Sequence, residues 1–265
     1  MPRSPFIVDS HVHLDQVAEH SPDRIAWLRN NQVMVISWAW CPRVENRAEL
    51  AAYLERMART VRGLAEKGLA CRYLAGIHPR NISPDLDPAR VEELLAPSME
   101  DPLCVGLGET GLETADSREK EILCAQAEFF LGARKRRDLV LGVHTPRKDK
   151  DRVAEEVRSL LAGFDLPRDR VVVDHCTPST APRFLEAGYW AGVTLSPIKN
   201  SADDLLSIAR DLPDHAGRIL ANTDSGTEFY TDLFDLARTP PGDADPALVS
   251  RLIRDNALKF YDLQG

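Results

Sequence analysis

The chain lacks any apolar run approaching the ~18 residues of a membrane-spanning helix. The apolar stretch entered directly from Met1-Pro2-Arg3-Ser4-Pro5 is too short for a signal peptide. Cysteine is scarce: Cys41, Cys71, Cys104, Cys124 and Cys176 are odd in number and include no Cys-X-X-Cys. That argues against a disulfide framework and a thiol-redox motif; their apolar neighbours predict mostly buried thiols in a reducing compartment. A cytoplasmic location is therefore expected. No low-complexity tract or basic stripe interleaved with aromatics is present. Acids outnumber bases, 41 to 33, giving a formal net charge of −8. Such a balance offers no overall attraction to nucleic acid or an anionic membrane, although it leaves room for a locally positive cleft.

What is present is a strand-and-helix alternation across 265 residues. β-Rich apolar runs stand at Phe6–Val8, Val33–Trp38, Tyr73–Ile77, Cys104–Gly108, Leu139–Val143, Val171–Asp174, Tyr189–Leu195 and Arg218–Asn222. Helical spacing predicts segments over Pro22–Asn30, Glu45–Lys67, Pro88–Ala96, Ser117–Arg137, Asp149–Ala162, Pro178–Ala187 and Ser201–Asp211. Gly68 and Gly188 are suited to closing two of them and Ser201 to capping the last. A short helix around Asp232–Ala237 and a closing helix over Pro246–Phe260 complete the series. Eight such units predict a single-domain (β/α)8 TIM barrel over residues 1–265, of class α/β. A doubly wound open sheet is the alternative, but it would not bring six strand ends to a common centre.

The strand ends carry the chemistry. Strand 1 runs into Asp9-Ser10-His11-Val12-His13, and residues two apart on an extended backbone point the same way. Glu109 follows strand 4, His144 strand 5, His175 strand 6 and Asp224 strand 8. Four of the seven histidines thus occupy these positions, and His78 ends strand 3. Four imidazoles and two carboxylates match the ligand preferences of zinc, with manganese, nickel, cobalt or magnesium as alternatives. Six ligands exceed one catalytic zinc and suit two divalent metal ions sharing a bridging carboxylate and water. Taken singly, His144 and His175 read as hydrogen-bonded core histidines, whereas Glu109, a carboxylate inside a Gly-rich turn at a strand end, reads as functional rather than as a structural ion-pair partner. Asp9 and Asp15 are expected to orient an imidazole or cap a loop rather than bind metal. His78 either contacts substrate or holds its own loop.

In order along the chain, Asp9-Ser10-His11-Val12-His13-Leu14-Asp15, Gly76-Ile77-His78-Pro79, Gly108-Glu109-Thr110-Gly111-Leu112, His144, His175, Lys199-Asn200, Thr223-Asp224-Ser225 and Asn256–Leu263 are similar to one family's motifs. Phe184–Tyr189 echoes another of them. The sequence resembles the TatD-like metal-dependent hydrolases of the amidohydrolase superfamily. The resemblance implies that His11, His13 and Asp224 hold the first metal, His144 and His175 the second, and Glu109 bridges. It also implies Asp224 as acceptor of the attacking water's proton, making Asp224 and Glu109 the catalytic pair.

Departures fall in the loops that select substrate: Leu112-Glu113-Thr114 where the family has Leu-Asp-Tyr, Cys176–Thr180 for an aromatic segment, Gly226 for proline, and Arg80 for histidine. Arg80, Arg147 and Lys199, each soon after a strand end, are the candidate anion holders, with His78 as a further substrate contact. Trp38 and Trp40 are candidate pocket walls, and Gly226–Asp245 a candidate cover. The expected substrate is a small phosphoester, lactone or amide. Two alternatives stand beside it: a 3'-5' exodeoxyribonuclease, and a non-catalytic metal-binding barrel that serves partners. Nucleic acid is the less favoured partner and no membrane association is expected; the sequence specifies no oligomeric state.

Overall fold

Eight parallel strands hydrogen-bond in the order in which they occur along the chain. They are β1 (Ile7–Val12), β2 (Val33–Trp38), β3 (Cys71–Ala75), β4 (Cys104–Gly111), β5 (Val140–His144), β6 (Val171–Val173), β7 (Trp190–Thr194) and β8 (Ile219–Asn222). The computed structural model describes residues 6–242 and 244–263. Helices follow the strands on the outside: α1 (Leu14–His20), α2 (Pro22–Asn30), α3 (Arg47–Glu66), α4 (Val91–Met99), α5 (Ser117–Ala133), α6 (Lys150–Ala162), α7 (Ala181–Glu186), α8 (Ala202–Asp211) and α9 (Asp232–Arg238). Two short helices, α10 (Pro246–Ser250) and α11 (Asn256–Phe260), flank a π-helical turn at Arg251–Asp255 where one continuous helix was expected. No described helix is long and apolar enough to cross a membrane.

Between β8 and β1 the barrel is closed largely by individual contacts. Asp224 N–H donates to His11 O at 2.9 Å and His13 N–H to Ser225 O at 2.7 Å. Buried Asp9 accepts from Thr223 N–H at 3.0 Å and Thr223 Oγ1 at 2.7 Å. Asp9 therefore fastens the seam, and its carboxylate faces strand β8 rather than a histidine ring nitrogen.

Side chains alternate along the strands as a pleated sheet requires. Met34, Ile36 and Trp38 of β2 join Val8, Leu74, Val140, Val172, Trp190 and Leu220 in one apolar cluster inside the barrel. Val33 and Val35 instead pack outward with the helix faces. Phe260 and Tyr261 belong to the inner cluster, so the C-terminal helix plugs the bottom. At β1 strict alternation would separate inward Val8 from His11, three residues on. The β1–β2 register is irregular between Asp9 and Val12, and such an irregularity re-aims the residues beyond it. His11 thereby reaches the interior, where it stacks on Trp38 at 4.1 Å.

Trp38 lies directly across from Gly142, whose missing Cβ leaves room for the indole ring. Gly142→Ala should overpack this layer and cost about 1–3 kcal/mol. Denaturant unfolding would measure it, and an unchanged midpoint would show that the indole shifts freely.

The helix α1 had no expected counterpart. It is only seven residues long and its N-cap, His13, makes no side-chain capping bond, so the usual start signal is missing. By contrast Ser201 and Asp204 form a reciprocal capping box at α8, as that segment's sequence predicts.

Candidate metal centre

The strand ends surround a pocket of about 280 Å³. At its base lies Glu109, 2% exposed, with its two oxygens facing different groups. Oε2 stands 3.4 Å from His11 Nε2 and 3.9 Å from His13 Nε2. Oε1 stands 2.6 Å from His144 Nδ1 and 3.3 Å from His175 Nε2. Asp224 joins the first group, its Oδ1 3.0 Å from His13 Nε2 and 3.5 Å from His11 Nε2. All six residues named from the sequence therefore converge. Of the other three histidines, His78 lines the same pocket, whereas His20 and His215 lie elsewhere.

Hydrogen bonds behind the rings determine which nitrogens face the centre. His11 Nδ1 donates to Asp174 Oδ2, and His13 Nδ1 donates to the Trp38 carbonyl at 2.9 Å. A carbonyl only accepts, so the His13 proton is on Nδ1 and its Nε2 lone pair points inward. His11 Nε2 is likewise turned inward, and it is buried without a hydrogen-bond partner. An orphaned buried imidazole nitrogen beside two carboxylates is the arrangement that a divalent cation satisfies. His144 Nε2 contacts Glu113 Oε2 at 3.0 Å, leaving Nδ1 toward Glu109. His175 Nδ1 lies 2.8 Å from Thr194 Oγ1. The donor set suits divalent metal: ligand atoms are mutually close in three groups, His11–His13–Asp224, His11–Asp174–His175 and His78–Glu109–His144.

Burial pushes the site carboxyls upward, but neighbouring cations and imidazoles outweigh it. For Asp224, Lys199 and His175 hold the carboxyl well below the ordinary range despite burial. For Glu109 the opposing groups are His11, His78 and His144. Burial, then the Lys199 ammonium, lowers His175 to about 4, so this imidazole is neutral and keeps a lone pair. His175 and Asp224 also have left-handed backbones, φ 60° and 54°. Such conformations are uncommon outside glycine and concentrate at functional sites. Just after β6, the turn at His175 brings two consecutive residues, Asp174 and His175, into the site.

Asp174 and Glu113 were not singled out in the sequence, and each steadies a ring. Asp174 is buried, accepts from Asn222 Nδ2 at 2.9 Å, and occupies space opened by Gly192, which has no Cβ. Glu113 is fixed through its loop, because buried Glu119 accepts from the N–H groups of Glu113, Thr114 and Ala115. Asp174→Asn and Gly192→Ala should each weaken metal affinity by about 10–100-fold, as expected when a group orienting a ligand is lost. Competition with a metal-sensitive dye would measure this; wild-type affinity in both variants would remove Asp174 from that role.

The candidate substrate contacts all line the pocket, in different states. Arg80 pairs with Glu113 at 2.5 Å and Lys199 with Asp224 at 2.5 Å. Arg147 makes no hydrogen bond or ion pair among the described residues. His78 is 3% exposed. Trp40 forms a wall beside His13, whereas Trp38 lies beneath the site as its floor. Gly226, Thr227, Glu228 and Tyr230 supply another wall. Further along that segment α9 turns away, with Phe234 packed on Trp27; Asp243 lies outside the described residues. Gln16 and Ile198, also in the lining, had carried no distinguishing sequence signal.

Comparison with known proteins places the chain in a family. Residues 8–228 match the family model described as TatD related DNase. An uncharacterized metal-dependent hydrolase of Methanocaldococcus jannaschii is 22% identical over 241 residues, 88% of this chain and 89% of that protein. The crystal structure of a TatD-like protein from Archaeoglobus fulgidus superposes with a TM-score of 0.71 at 26% identity, covering 96% of this chain and 99% of the other. A TatD homologue from Escherichia coli gives a TM-score of 0.63 at 22% identity, over 98% and 99% of the two chains. The chain belongs to the TatD related DNase family and is a metal-dependent hydrolase.

Proposed function

We propose that the pocket is a binuclear hydrolytic centre acting on a small phosphoester, lactone or amide. His11, His13 and Asp224 would hold one divalent cation and His144 and His175 a second, with Glu109 between them. The observation that carries this reading is the division of the Glu109 oxygens, one toward each histidine group. Zinc suits the imidazole-rich set best. Bound cations would supply Lewis acidity and bring the pKa of water toward neutrality.

The protein's own groups perform the remaining tasks. Asp224 is ionised and reaches the pocket, so it can accept the proton released as water attacks. Lys199 keeps that carboxylate charged and can contact an anionic group brought by the substrate. Arg147, without a carboxylate partner, is the cation best placed to hold such a group; Arg80 would first have to share Glu113. Trp40 and Ile198 offer apolar walls for the remainder of the molecule. A pocket of about 280 Å³ lies at the small end for ligand sites, which supports a small molecule over a long polymer.

The net charge of −8 and the pairing of two of the three cations argue against general DNA degradation as the main activity. Much of nucleic-acid affinity comes from lysine and arginine neutralising phosphates. The test compares kcat/KM of metal-loaded protein on single-stranded DNA with that on small phosphodiesters, lactones and amides. Higher efficiency on a small substrate is expected. Efficient, salt-sensitive exonuclease action with nothing comparable on small molecules would restore the DNase reading.

A further inference from the structure

We infer that His78 is a catalytic hydrogen-bond donor, presenting a neutral Nε2–H to the substrate oxygen on which negative charge develops. The inference rests on the hydrolytic reading of the pocket and adds a role that the metal ligands do not supply. Its basis is a fixed main-chain donor. Arg80 N–H donates to His78 Nδ1 at 3.0 Å, capping the 3₁₀ turn Pro79–Asn81. Nδ1 must therefore carry a lone pair, and the ring proton resides on Nε2.

This is the reverse of His11 and His13, whose Nδ1 protons are directed to Asp174 and the Trp38 carbonyl. Their Nε2 lone pairs suit a cation; the Nε2–H of His78 does not. His78, Glu109 and His144 lie close enough together to resemble a metal cluster, but ligation through His78 Nε2 would place a proton on Nδ1, directly against the Arg80 N–H. The same clash excludes an imidazolium. The nearest carboxylate oxygen to Nε2, Glu109 Oε1, is 3.6 Å away, beyond hydrogen-bond length. The donor thus faces the pocket with no hydrogen-bonded acceptor among the described residues, so it is available to a ligand there.

The loop is braced to keep it there. Gln126 bonds both the N–H and the carbonyl of Ile77, at 2.8 and 3.0 Å. On the other side the Asn81 amide makes paired bonds with the Cys41 backbone at 3.1 and 2.7 Å. A donor held in advance at the site of developing charge requires no reorganisation during reaction.

Two side chains separate this role from loop capping and from metal ligation. His78→Asn leaves an amide oxygen able to accept from Arg80 N–H but removes the Nε2 donor. His78→Gln places an amide N–H near the lost donor but sacrifices the cap. With zinc-loaded protein and bis(4-nitrophenyl) phosphate, His78→Asn should lose about 10²–10³-fold in kcat, with metal content and KM near wild type, and His78→Gln should retain more activity. The opposite order would reduce His78 to a cap, and loss of metal from His78→Asn would make it a ligand.

Long-range ¹H–¹⁵N correlation of the labelled wild-type chain reads the tautomer without requiring turnover, with the signal assigned by its loss in His78→Asn. The Nε2–H form should be seen and should persist on adding zinc; an Nδ1–H form, or an Nε2 signal moved by zinc ligation, overturns the inference. A zinc-loaded wild-type chain inactive on the diester, lactone and amide panel, yet showing the Nε2–H form, would refute the hydrolytic reading and with it the catalytic role. It would leave the tautomer standing.

Discussion

Asp224→Asn should leave a folded barrel whose hydrolysis is slower by about 10²–10⁴-fold, the usual worth of a positioned general base. The carboxylate lies 3.0 Å from His13 Nε2 and 2.5 Å from Lys199 Nζ, where it can serve both the proposed cation and the attacking water. An amide cannot take a proton at this position, and it is a weaker metal ligand. Asparagine is nevertheless a mild test of the fold, because it tolerates the left-handed backbone found at φ 54° better than most residues. Circular dichroism and thermal unfolding should therefore match wild type while turnover collapses. Near-normal turnover by a folded, metal-loaded variant would take the base role away from Asp224.

Glu109→Gln should have a still broader effect. The glutamate offers an oxygen to each histidine group, whereas glutamine offers one oxygen and one NH₂. Whichever way the amide turns, a donor faces imidazole nitrogens on one side of the centre. Loss of a shared ligand should exceed the 10–100-fold typical for an outer orienting group, so affinity should fall by more than about 100-fold for at least one cation. Hydrolysis should fall with it. Calorimetric zinc titration separates this from unfolding, and two cations bound with wild-type affinity would exclude Glu109 as the bridge.

Most of the architecture was legible because buried parallel strands are runs of β-branched residues and each is followed by a helical period. The convergence of the six candidate residues was legible for a related reason: a closed barrel gathers its strand ends, so polar residues at those ends stand out from apolar runs. Local rules fell short where the backbone departs from regularity. The irregular register of β1 brings both Val8 and His11 inward, and a simple alternation from Val8 would have sent His11 outward. The helix α1 lacks a capping side chain, and a π-helical turn interrupts the C-terminal helix.

Long-range pairings were the other gap. Asp174 is 163 residues from His11, its hydrogen-bond partner, and in sequence it is one acid at the end of an apolar strand. Glu113 registered only as a departure from a family motif, yet it links His144 to Arg80. The cations could be placed near the pocket from sequence, but their engagement by Glu113 and Asp224 depends on which loops lie side by side. The tautomer of His78 likewise depends on one backbone N–H two residues away.

The most direct measurement of the binuclear account is anomalous diffraction from crystals equilibrated with zinc. Two peaks should flank the Glu109 carboxylate, one within reach of His11, His13 and Asp224 and the other within reach of His144 and His175. A single peak under saturating zinc, or peaks away from Glu109, would contradict it.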